Sequence, residues 1–151
     1  MSTQNVVIAI DGSEQSMHAF EWYLENSYRD GDYVYALMVS EGVHLSCIDI
    51  KNPVAFPSAQ WQEKLNHQIE HAKKIGNHIE STLQAKRISG GFIVESGNPG
   101  QTICEFAKKK DARVIVIGCR GLGAIRRTII GSVSSDVVHH ADRPVTVVPK
   151  P

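Results

Sequence analysis

Two short runs built almost wholly of branched aliphatic residues, Val6–Ile10 and Val114–Ile117, constrain the fold of this chain more than any other feature. Neither is long enough for a helix, and neither alternates with polar residues as a strand with one wet face must. Each reads as a strand buried on both faces. A sheet hidden from water on both sides needs helices above it and below it, which points to an α/β fold with parallel strands.

The rest of the chain supplies those helices. Asp11-Gly12 ends the first run, and Ser13 can cap a helix in which Met17, Phe20, Leu24 and Tyr28 recur at helical spacing until Asp30-Gly31 stops it. Tyr33–Val39 predicts a second strand. From Ser40 to Pro57 no period survives, and Asn52-Pro53 and Phe56-Pro57 break any element, so this is a long irregular connection. Ser58 to Lys86 follows as one helix with a seam of Leu65, Ile69, Ala72, Gly76, Ile79 and Leu83. Gly90–Glu95 is a third strand. Asn98 and Pro99 then open a third helix, as cap and first residue, with Ile103, Phe106 and Ala107 on its inner side.

Lys108-Lys109-Lys110 closes that helix with cations that suit its dipole, and reads as a solvated terminus rather than a nucleic-acid patch. Arg113–Ile117 is the fourth strand, Ser132 to Ala141 the last helix, and Pro144–Pro149 a final strand bracketed by prolines. Strands and helices alternate throughout. Right-handed doubly wound parallel topology is therefore expected, in a single domain over 1–151, with ligands at the carboxyl ends of the strands.

Charge excludes several functions. Sixteen basic and sixteen acidic residues give a formal net charge of zero, which leaves no general field for nucleic acid or an anionic membrane. No apolar segment is long enough to span a bilayer. Three cysteines (Cys47, Cys104, Cys119) without a C-x-x-C pair suit a reducing compartment, so the expected location is cytoplasmic.

One stretch carries chemistry. The Val114–Ile117 strand runs into Gly118-Cys119-Arg120-Gly121-Leu122-Gly123, then Arg126 and Arg127, and Gly131-Ser132-Val133-Ser134 opens a helix. Glycines let backbone approach a ligand closely, and the unpaired amides and positive dipole end of a helix favour phosphate. Arg120, Arg126 and Arg127 are candidate phosphate contacts. The loop is neither a P-loop nor the dinucleotide fingerprint.

Gly118-x-x-Gly121, nine residues, then Gly131-Ser132 resembles the ATP-binding pattern of the universal stress protein family. Val7-Ile8-Ala9-Ile10-Asp11-Gly12-Ser13, Gly97-Asn98-Pro99 and Pro144-Val145-Thr146-Val147-Val148-Pro149 extend the resemblance over the chain. Cys119 stands where that family often has Ser or Thr, and the segment Ser40–Pro57 has no counterpart in the pattern.

The resemblance implies five parallel strands in the order 3-2-1-4-5 with helices on both faces, binding ATP (or ADP or AMP), with Mg²⁺ as a possible companion. It implies Asp11 at the ribose, backbone at Val39 at the adenine, Gly118 and Gly121 along sugar and phosphate, and Gly131, Ser132, Val133 and Ser134 at the phosphates. It also implies a homodimer joined through the last strand, Val145–Val148. The function expected is a nucleotide-dependent binding or signalling module of the stress response. A slow ATP hydrolase and a nucleotide-independent interaction protein of the same fold are the alternatives, and no catalytic residue is assigned because no general base is visible at the loop.

Other residues have plainer readings. His67, His71 and His78 form a stripe nearly opposite the apolar seam of the long helix and are expected to face water rather than hold a metal. Asp11 also suits a turn former, because its side chain can bond backbone two residues on. Cys104 reads as packing, and Cys119 lies beside the expected ligand.

Overall fold

In the computed structural model, residues 2–41, 59–119 and 131–150 are described. Five strands and four helices alternate: β1 (Gln4–Ile10), α1 (Glu14–Asn26), β2 (Asp32–Ser40), α2 (Ala59–Ala85), β3 (Gly90–Ser96), α3 (Pro99–Lys109), β4 (Ala112–Gly118), α4 (Ser132–His140) and β5 (Val145–Val148). The strands form one sheet in the order β3-β2-β1-β4-β5. All four pairings are parallel. The expected fold class and strand order are thus observed.

Alternation along β1 builds two cores. Val6, Ile8 and Ile10 point to one face, where Phe20, Tyr23 and Leu24 of α1 and Ile75, Ile79 and Leu83 of α2 cover them. Val7 and Ala9 point to the other, against Ile103, Phe106 and Ala107 of α3 and Val137 of α4. Val6, Val7 and Ile8 are fully buried, which is why the sequence shows no polar alternation there. At the edge, β5 divides the same way, with Val145 and Val147 on the α3/α4 side and Val148 on the α1/α2 side.

Element ends differ from expectation where side chains intervene. The first helix stops at Asn26 rather than continuing through Tyr28. The chain turns there so that the Arg29 amide donates to Asp32 Oδ2 at 3.0 Å. Lys108 and Lys109 are exposed at the end of α3, as expected. Lys110 departs from the solvated reading: its ammonium lies 5.3 Å from the Tyr35 ring centroid and 5.6 Å from that of Phe106, a cation held over aromatic faces. The Ser40–Pro57 connection lies, beyond Glu41, outside the described residues.

A buried polar cluster ties the amino ends of β2 and β4 together. Arg113 donates to Asp32 through Nε at 3.1 Å and through Nη2 at 2.6 Å, and Tyr23 donates its hydroxyl to Asp32 at 2.5 Å. Burial by itself would raise the Asp32 pKa. The hydrogen bonds from Arg113, Tyr23 and the Arg29 amide outweigh burial and hold it below the ordinary carboxylate value. Burial, followed by the hydrogen bond to that carboxylate, pushes the Tyr23 phenol well up.

Because the folded Asp32 pKa is depressed, its stabilisation is complete above the unfolded pKa of about 4 and disappears as the pH falls through the folded value. Asp32→Asn leaves Arg113 without its charged partner, and should cost about 3 kcal/mol. Urea unfolding at pH 7 measures that loss. Repeating it below pH 4 should show the gap between the two proteins narrowing.

Candidate functional site

A cleft of about 260 Å3 opens at the carboxyl ends of β1, β2 and β4. Its back is apolar, made by Ala9, Leu37, Val39, Ile103, Ile117 and Val133. Its polar lining comes from Asp11, Ser13 and Ser132 together with the buried Ser16 and Ser134. Six of the residues expected at a ligand therefore meet in one place together with Val39: Asp11, Gly118, Gly131, Ser132, Val133 and Ser134 all line it. Gly121, Arg120, Arg126 and Arg127 lie outside the described residues.

Local chemistry explains the rim. Asp11 follows β1 directly, and its Oδ1 accepts from the Ser13 amide at 2.9 Å and the Ser13 hydroxyl at 2.5 Å. The turn-forming reading of Asp11 is therefore realised in the same residue that faces the cleft. Ser13 in turn caps α1, its Oγ accepting from the Ser16 amide at 3.1 Å. Gly12 between them has φ +84°, a left-handed conformation that favours glycine.

Gly12 also bears on the histidine stripe. A Cβ there would lie 2.7 Å from His71 Nε2 and from Ile75 Cδ1. His67 and His78 are exposed as expected, and His71, though exposed, rests against the turn that carries Asp11.

On the opposite wall, α3 begins as the sequence predicts, with the Asn98 side chain accepting from the Gln101 amide and Pro99 at the first position. The start of α4 is different. Its N-cap is Gly131, which has no side chain with which to cap, so the first turn of α4 presents its amides at the rim without that partner. Ser134 is buried and donates to the Gly118 carbonyl at 3.0 Å, pinning this helix start to the end of β4.

Gly118 has a packing role besides its place in the cleft. A Cβ at this position would fall 2.5 Å from the Gln15 carbonyl oxygen, so the absence of a side chain lets α1 cross the end of β4 closely. Cys119 donates its amide to the Val148 carbonyl at 2.9 Å and extends the β4–β5 pairing. Burial raises the Cys104 pKa, with the Asp136 charge adding to it, which fits the packing role read for that thiol.

Gln15, Ser16, Glu41, Pro99 and Ile103 also line the cleft. The sequence did not single them out as ligand neighbours. Pro99 and Ile103 carried a visible signal as helix start and inner face, whereas Glu41 is marked only by its place just beyond the second strand. Asp11 and Glu41 are the ionisable side chains among the described lining residues. No group of three or more His, Cys, Asp or Glu residues able to hold a metal occurs among the described residues.

This strand–helix order with a ligand-sized cleft at the strand ends agrees with comparison to known proteins. The family model described as universal stress protein family matches residues 2–149. The chain belongs to that family. A universal stress protein from Mycobacterium tuberculosis is 28% identical over 167 residues, covering 96% of this chain and 48% of the relative, so this chain spans about half the length of that protein.

Among solved structures, a universal stress protein family member from Arabidopsis thaliana with AMP bound superposes with a TM-score of 0.73 at 19% identity, over 98% of this chain and 92% of that one. A universal stress protein in complex with cAMP gives 0.67 at 19% identity, over the whole of both chains. At such identities the likeness concerns the fold.

The close passage of α1 over β4 makes a stability prediction. Gly118→Ala should destabilise by about 2 kcal/mol through the forced contact with Gln15. Ser134→Ala should cost about 1 kcal/mol through the lost hydrogen bond. Guanidinium titrations of the two variants against the parent protein measure both.

Proposed function

We propose that this universal stress protein family member is a nucleotide-binding module whose ligand is an adenine nucleotide, ATP in the first instance with ADP and AMP as related ligands. The observation that carries this reading is the division of the cleft. An apolar back suits a flat base, while the rim carries the start of α4, capped by a residue without a side chain. Unpaired amides and the positive end of the helix dipole attract phosphate there. Asp11 at the rim suits the ribose diol, and backbone at Val39 lies beside the base wall. Gly118, Gly131, Ser132, Val133 and Ser134 then flank the sugar and phosphates, with Gly121, Arg120, Arg126 and Arg127 as further candidates from the sequence. Relatives of this fold with AMP and with cAMP support an adenine ligand.

Holding is favoured over turnover. Phosphoryl transfer to water needs a group that orients the water and groups that stabilise the transferring phosphoryl, and the sequence of the glycine loop carries no conspicuous general base. A Mg²⁺ ion has no cage of carboxylates among the described residues, so it would accompany the phosphates as their counter-ion. The module would work through a partner or shape that depends on nucleotide in the stress response, in the cytoplasm. No helix among the described residues is long and apolar enough to cross a membrane.

The proposed assembly is a homodimer through β5. Among the described residues this strand pairs on one side only, with β4, and its free edge offers Val145 and Val147 half-buried. A two-fold axis there makes the patch complementary to itself. Val147→Lys places like charges beside that axis and should convert dimers to monomers in sedimentation equilibrium; an unaltered dimer places the interface elsewhere.

Nucleotide binding is tested by denaturing the purified protein to identify any released nucleotide, then by calorimetry with ATP, ADP and AMP. Gly131 has φ −57°, which any residue adopts, so Gly131→Val should leave the fold intact while blocking the approach of phosphate. Loss of ATP binding with unchanged circular dichroism is the expected result. Unchanged affinity would remove the phosphate site from the start of α4.

A further inference from the structure

The sheet has a second edge, at β3. Among the described residues β3 pairs on one side only, with β2, and α2 is the helix packed on it. Gly90–Ser96 contains neither proline nor lysine, the residues that usually blunt an edge, and the whole strand is half-buried. It runs for seven residues against four in β5.

Both faces beside this edge have room. On the α2 face a groove of about 330 Å3 has walls of Phe92, Val94, Ile69 and Gly76, with Lys73 and Glu80 at its exposed rim. On the opposite face a Cβ at Gly91 would meet nothing within 4 Å. An interior glycine weakens a strand, and here it leaves a gap beside Tyr35, its register partner on β2. The Lys110 ammonium stands 5.3 Å from the centre of that ring.

Hydrogen-bond direction fixes how the edge can be extended. Val34 donates its amide to the Ser89 carbonyl, and Gly97 donates to the Ser40 carbonyl. Odd-numbered residues of β3 therefore aim their backbone groups at β2, and Phe92 and Val94 aim theirs outward. A second copy running antiparallel about a two-fold axis at Ile93 overlaps the strand over its whole length. It sets Phe92 opposite the partner's Val94 as a hydrogen-bonded pair, twice by symmetry, which joins an aromatic to a branched side chain on the groove face. On the other face it sets the partner's Glu95 opposite Gly91. That residue then stands two strand spacings, about 10 Å, from Tyr35, with no side chain between them, so its carboxylate and the Lys110 ammonium face each other across the gap.

We propose that β3 is a self-pairing edge whose occupant is a second copy of this chain, with Lys110 of each copy meeting the partner's Glu95. Because β3 and β5 are opposite edges of the sheet, the contact joins β5 dimers end to end. Its closure takes two pairs of charges out of water, so it forms at higher protein concentration than the apolar contact through β5. It does not depend on nucleotide.

The test is sedimentation equilibrium of the full-length protein carrying Val147→Lys, which removes the β5 contact, over a concentration series reaching about 1 mM. A reversible monomer–dimer equilibrium is expected. In that background Lys110→Glu and Glu95→Lys each bring like charges together on both sides of the axis, and each should weaken association about tenfold or more. An equimolar mixture of those two variants restores opposite charges at both contacts and should associate as the Val147→Lys protein does.

A Val147→Lys protein that stays monomeric throughout the series overturns the β3 contact and leaves the β5 interface standing. Association that survives both charge variants, or a mixture that associates no better than either variant alone, also overturns it. Dimers that resist Val147→Lys at every concentration but dissociate with the charge variants overturn the β5 interface and support this one.

Discussion

Concealment of β1 on both faces is the constraint from which the remaining architecture follows. Val6, Ile8 and Ile10 need one helical layer and Val7 and Ala9 need another, so α1 and α2 must lie on one side and α3 and α4 on the other. A chain that places helices on both faces of a parallel sheet must turn at the same end of every strand before entering a helix. The cleft is the space left where those turns diverge. Its apolar back is therefore continuous with the interior: Ala9, Leu37, Ile103 and Ile117 belong both to a core and to the cleft wall.

This continuity explains how much was legible in the sequence. A fully buried strand declares itself by the loss of alternation, and capping residues declare helix starts, so the order of elements and the caps Ser13 and Asn98 could be read directly. Asp11, Gly118 and Gly131–Ser134 were visible because they sit at strand ends or helix starts, where residue type has a local meaning. Glu41 and Gln15 have no local signature; they reach the cleft only because β2 and α1 converge on it.

The Asp32–Arg113–Tyr23 cluster was equally hidden. Arg113 and Asp32 are 81 positions apart, and each looks like an ordinary charged residue at the beginning of a strand. Only the parallel register, which sets β2 and β4 on either side of β1, brings them together. The contact of His71 with Gly12 was missed for a related reason. A helical stripe shows which residues avoid the seam, but not what loop comes to lie beside them.

The cluster at Asp32 stands at the opposite end of the sheet from the cleft. The two long intervals between elements, from Ser40 to Ala59 and from Gly118 to Ser132, both begin at the cleft end. The molecule thus keeps its buried ion pair at one end of the strands and its long intervals at the other. A change of sequence within those intervals falls at the cleft end of the strands and leaves the ion pair at the other end untouched.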